Sequence, residues 1–195
     1  MARWCCTPTT GAASSRDAAD GVIGRTRAWI ERAVIGLNLC PFAKAVYVKE
    51  RIRYVVSDAE TPEALLADLE RELAHLAAVP AEETDTTLLI HPHVLQDFLD
   101  YNDFLDEADA AVERLDLGGA LQVASFHPQY QFAETKPDDV TNCTNRSPYP
   151  TLHLLREASV DEAVAAFPDA DEIYLRNMQT LRRLGRAGWE ALDVG

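Results

Sequence analysis

The residues of this chain best suited to chemistry crowd around one irregular stretch, HPQYQFAETKPDDVTNCTNRSPYP. The 23 residues from Pro128 to Pro150 show no helical or strand period, and so long an irregular segment inside a domain is either functional or disordered. Cys143 stands in it between Asn142 and Asn145, with Arg146 next and Tyr149 close behind. The thiolate is the reactive form of cysteine, and a neighbouring cation or base is needed to form it. Arg146 or a histidine supplies that partner, and an asparagine amide can hold an oxyanion. The plain alternative is that Cys143 is a small buried apolar residue and Arg146 a loop anchor.

Two strand ends look alike, LLIHP at 88–92 and ASFHP at 124–128. Each closes on His-Pro, where the proline ends the hydrogen-bonded ladder. Parallel neighbouring strands joined by a helix would bring His91 and His127 to one sheet edge, the usual ligand edge of an open α/β sheet. His91, His127 and Cys143 are therefore the candidate catalytic residues. Arg146, Asn145 and Tyr149 are the candidate contacts to an anionic small molecule, with hydrolysis or group transfer as the reaction class. A non-catalytic arrangement uses the same side chains: Cys40, Cys143, His91 and His127 as a tetrahedral site for a zinc or iron ion, or Cys40 and Cys143 as a redox sensor. A structural or partner-binding module is the third reading. Cys40 lies among apolar neighbours in GLNLCPFA, which also suits a core position. His153 sits on the strand side opposite Leu152 and Leu154, while His75 and His93 fall at solvent-facing positions.

Several chemistries are disfavoured. Asp97, Asp100, Asp103, Asp106, Glu107 and Asp109 spread around the polar side of a helix without a calcium-loop pattern. The glycine-rich dinucleotide and P-loop motifs, GxSxG and HExxH are all missing. Among 195 residues, 18 are Lys or Arg and 32 Asp or Glu, a net charge of −14. The excess of acid falls in the middle hundred residues, the reverse of a phosphate-binding stripe, so nucleic acid is not an expected partner. No apolar run reaches the ~18 residues of a membrane span, and the first twenty lack a signal peptide's apolar core. Cys5 and Cys6 are adjacent in a TPTTGAASS leader, and no CxxC occurs. Together these features predict a cytoplasmic protein with reduced thiols and no membrane partner.

The elements that must position these residues follow from periodicity. Ile23, Ile30, Val34 and Leu37 recur at helical spacing, stopped by Gly36 and Pro41. RIRYVVS at 51–57 alternates like an edge strand. Thr61-Pro62 opens a helix striped by Leu65, Leu66, Leu69, Leu73 and Leu76. Strands follow at 86–90, 121–126 and 151–156, with a helix over about 95–115 and two more at about 160–167 and 170–186, separated by Pro168. This order predicts a single-domain α/β sandwich over 21–187, with a small mixed, mainly parallel sheet in which the direction of the fourth strand is left open, antiparallel being allowed. A ferredoxin-like α+β arrangement is the alternative. Residues 1–20 and 188–195 read as tails.

GLNLCPFA, LLIHP, SFHPQYQF and NCTNRSPYPTLHLLRE together resemble a bacterial family catalogued as domain of unknown function 1415. The resemblance spans about Gly21 to Arg186 and implies a single-domain bacterial protein. It puts Cys40, His127, Cys143, Asn145, Arg146 and Tyr149 inside the signature segments, and it implies no particular activity.

Overall fold

Alternating side chains make β1 (Ile52–Val56) a strand, and β2 (Thr86–Ile90) runs parallel to it with Val56 opposite Ile90. The computed structural model describes residues 15–166 and 172–194. The tail cysteines Cys5 and Cys6, and Pro168, lie outside the described residues. Between the two strands, α3 (Pro62–Ala78) starts where the Thr61 hydroxyl accepts the Ala64 N–H at 3.3 Å, with Pro62 in the first turn. Its end is tied down by Arg156, whose guanidinium donates to the carbonyls of Leu76, Val79 and Thr84.

After β2, α4 (Phe98–Arg114) is capped by the Asp97 carboxylate, which accepts the N–H of Leu99 at 2.8 Å. It leads to β3 (Leu121–Phe126), and the long loop then folds one 3-10 turn (Val140–Asn145) before β4 (Thr151–Arg156). The sheet order is β1-β2-β4-β3, with β4 antiparallel to both of its neighbours. Three strands thus share one direction, yet only the β1–β2 pairing is parallel.

This corrects one expectation. His91 and His127 do leave the sheet at the same end, but their strands are not neighbours: β4 lies between them. The loop after β3 stays at the end where β3 finishes, so β4 must start there and run back. The slot between β2 and β3 then satisfies both of its edges.

One face of the sheet is covered by α3 and α4, with Leu65, Leu69, Leu73 and Leu76 fully buried against Leu89, Leu152 and Leu154. Each such leucine replaced by alanine would cost about 2–5 kcal/mol. The other face is covered by α1 (Ser15–Trp29) and the π-helical turn that continues it (Ile30–Ile35), which bury Trp29, Ile30 and Ala33 on Leu88 and Ile90. Helices on both faces make an α/β sandwich and set aside the ferredoxin-like alternative, whose helices lie on one face.

Two stretches read as tails are structured. Residues 15–20 are helical within α1, and α6 (Ile173–Glu190) carries the chain to a buried Val194. Two short helices complete the described fold, α2 (Ala43–Val48) and α5 (Glu157–Ala165). No described helix is long and apolar enough to cross a membrane.

Candidate functional site

His91 and His127 are both fully buried at the strand ends, each with its backbone N–H anchored, to Pro150 O (3.0 Å) and Asn145 O (3.2 Å). Their protonation follows from their partners, because a carbonyl can only accept. His91 Nδ1 faces Val94 O at 3.0 Å and so carries the hydrogen, leaving Nε2 as a buried lone pair with no hydrogen-bond partner. His127 Nε2 donates to Leu95 O at 3.2 Å, and its Nδ1 accepts the Gln129 N–H at 3.0 Å. Burial pushes both imidazoles toward the neutral form, His91 down to about 4. His127 therefore clips the loop after β2 to the start of the loop after β3, with neither nitrogen free. The ring of Tyr101 from α4 lies between the two histidines, and its hydroxyl donates to Thr151 O at 2.8 Å.

The irregular stretch is ordered by its own polar side chains. Fully buried Asn142 donates to Lys136 O (2.8 Å) and accepts from Phe132 N (3.0 Å) and the Thr135 hydroxyl (2.8 Å). Asp139 opens the 3-10 turn by accepting the Thr141 N–H and hydroxyl, contacts that hold its carboxyl below the usual range. Asn145 donates to Ser125 O at 3.3 Å, joining the turn to β3. Tyr149 turns away to the α1 face, where its hydroxyl accepts from Arg25 at 3.0 Å. These two candidate substrate contacts thus hold structure on different sides of the loop.

Cys143 and Arg146 do meet at a cavity of about 220 Å³, with Ser147 beside them. The opposite wall is the end of α6, with Arg186, Trp189 and Glu190. That wall exists because α6 breaks at Gly185 (φ 70, ψ 173) and restarts in a new direction. Glycine is required there, since side-chain-bearing residues rarely adopt this conformation. Arg146 is aimed by two carbonyls, Tyr130 O at 3.2 Å and Pro137 O at 2.7 Å, and Arg186 by Asp138 O at 3.1 Å. Neither guanidinium forms an ion pair among the described residues. Burial raises the Cys143 thiol, while Arg146 and Arg186 pull against that rise.

The cavity omits both histidines, although Pro128, next to His127, is part of its wall. Arg186, Trp189 and Glu190 were not singled out from the sequence. The one local signal was a basic run, RRLGR at 182–186, in an acidic chain. His153 is on the other sheet face: the Thr86 hydroxyl gives its hydrogen to Leu154 O at 2.6 Å, so His153 Nε2–H must donate to Thr86 Oγ1 at 2.8 Å. Desolvation brings His153 down to about 4.

The proposed ligand quartet is not gathered. Among the described residues no three His, Cys, Asp or Glu side chains converge as a metal cage. Cys143 packs with Leu39 and Leu181, and burial raises the Cys40 thiol against a weaker opposing pull from the backbone N–H groups of Phe42 and Ala43. Both cysteines are free thiols.

Sandwich and cavity together describe a mixed α/β protein with a loop-built, arginine-lined pocket. The chain belongs to the family described as protein of unknown function (DUF1415), whose model matches residues 21–191. No curated protein and no solved structure matches the chain.

Proposed function

We propose that the cavity beside Cys143 binds a small anionic molecule, and that the protein is a small cytoplasmic bacterial enzyme that acts on it. The observation that carries this reading is the pair Arg146 and Arg186. Both guanidiniums line one cavity, each is oriented by a backbone carbonyl, and neither has a carboxylate partner among the described residues. In a chain with 32 acidic residues, a half-buried Arg146 and an exposed Arg186 that line one cavity without a carboxylate partner suit a bound carboxylate or phosphate. The free thiols of Cys40 and Cys143 support a reducing compartment. The bacterial source is what the family resemblance implies.

Hydrolysis or group transfer is the catalytic form of this reading, supported by the place of Cys143 on the same wall. Burial keeps the thiol protonated at rest, so attack needs a base, and Glu190 is the carboxylate lining the cavity. Cys143 would give its proton to Glu190 and form a bond to the electrophilic centre. The leaving group would depart with that proton, and water in hydrolysis, or the hydroxyl or amine of a second substrate in group transfer, would then take the group from Cys143 and return a proton to the thiol.

Calorimetric titration with inorganic phosphate tests the binding step. One site per chain is expected, weakened at least about tenfold in Arg146→Gln and in Arg186→Gln, the scale of a lost charge-assisted contact. Absence of binding, or equal binding by both variants, would overturn it.

A further inference from the structure

Arg186 and Glu190 stand four residues apart on the last stretch of α6. Opposite charges at that spacing are helical neighbours and ordinarily attract. Here they form no ion pair: Arg186 donates to Asp138 O at 3.1 Å, and the Glu190 carboxylate has no hydrogen-bond or ion-pair partner among the described residues. Both nevertheless line the cavity, with Trp189 beside Glu190. The pocket therefore has a cationic part, Arg146 and Arg186, and an acidic part, Glu190, that do not neutralise each other.

We infer that the ligand of this cavity is zwitterionic: its anionic group sits on Arg146 and Arg186 and its ammonium group against Glu190 and Trp189. The inference rests on the anion-binding reading and adds the second charge. An indole face attracts a cation through its ring quadrupole, and a carboxylate adds Coulombic attraction. A cavity of about 220 Å³ equals the liquid volume of about seven waters, enough for a short ω-amino acid or an aminoalkyl phosphate. A plain anion would share the cavity with the Glu190 carboxylate, a like-charge cost that an ammonium group on the ligand lowers.

Two matched probe pairs test this by calorimetry: valerate against 5-aminovalerate, and ethyl phosphate against phosphoethanolamine. In each pair the ammonium-bearing member should bind about tenfold more tightly. Glu190→Gln should erase that preference while keeping the plain anion's affinity or improving it, and Arg146→Gln should weaken all four probes. Circular dichroism of each variant checks that it is folded. If the plain anions bind as tightly as their zwitterionic partners, this inference fails and anion binding stands. If none of the four binds, both readings fall.

Discussion

His91 and His127 share one end of the sheet without touching: the Tyr101 ring lies between them, 5.7 Å from the first imidazole and 5.0 Å from the second, centroid to centroid. The three rings form a buried plug above the start of β4, because Tyr101 also bonds Thr151 O. This plug is uncharged, and its chemistry is that of a structural joint beside the cavity.

Acid should loosen that joint. His91 and His153 titrate at about 4 in the folded chain against 6.5 for an ordinary histidine, so the unfolded chain takes up protons first as pH falls. Their stabilising effect is complete above pH 6.5 and is lost on the way down to about 4. Each contributes up to about 3 kcal/mol over that window. Urea unfolding between pH 6.5 and 5, above most carboxylate titration, should show falling stability, with a shallower slope in His91→Phe. An unchanged slope would mean that His91 does not titrate in this window.

Gly185→Ala isolates the backbone cost of the α6 break. A Cβ there meets nothing within 4 Å, so any loss comes from forcing alanine to φ 70. Destabilisation of about 1–3 kcal/mol is expected, together with weaker anion binding as the Arg186 wall shifts. Thermal unfolding and phosphate calorimetry on the same sample read both effects.

How much of this was legible in the sequence depended on how local the signal was. β1, β2, β3 and β4 fall where alternation or apolar runs placed them, and Thr61 caps its helix as read, whereas Asp97, read as part of a helix over about 95–115, instead caps the later start of α4. Cys143 and Arg146 are three residues apart, so their meeting at one wall was foreseeable. The insertion of β4 between the two His-Pro strands was not, because it is decided by two long-range pairings. Nor was the role of Arg186, Trp189 and Glu190, which depends on the Gly185 turn and on packing across the chain. The short α2 helix, with no buried residue, leaves no apolar stripe to read.

Asn142 should prove the keystone of the loop. Its amide bonds the Phe132 N–H and the Lys136 carbonyl from inside a fully buried position, and alanine would remove both bonds, while the Thr135 hydroxyl keeps Phe132 O as an acceptor at 2.7 Å. Asn142→Ala is expected to cost about 2–4 kcal/mol and to loosen the Arg146 wall. Chemical unfolding measures the first effect, and faster backbone hydrogen exchange over residues 130–146 the second.

The central claim, that Cys143 opens onto an anion-attracting cavity, is tested most directly by alkylating one thiol with two reagents. The rate ratio of iodoacetate to iodoacetamide cancels the thiolate fraction and leaves the local potential at the sulfur. Cys40 is the internal reference, since no guanidinium contributes to its shift while Arg146 and Arg186 contribute to that of Cys143. With Cys5 and Cys6 replaced by serine and the sites mapped by mass spectrometry, the ratio at Cys143 should exceed that at Cys40 by about tenfold. That excess should fall toward one in the Arg146→Gln, Arg186→Gln double variant. Equal ratios at the two cysteines in the wild-type background would contradict the account.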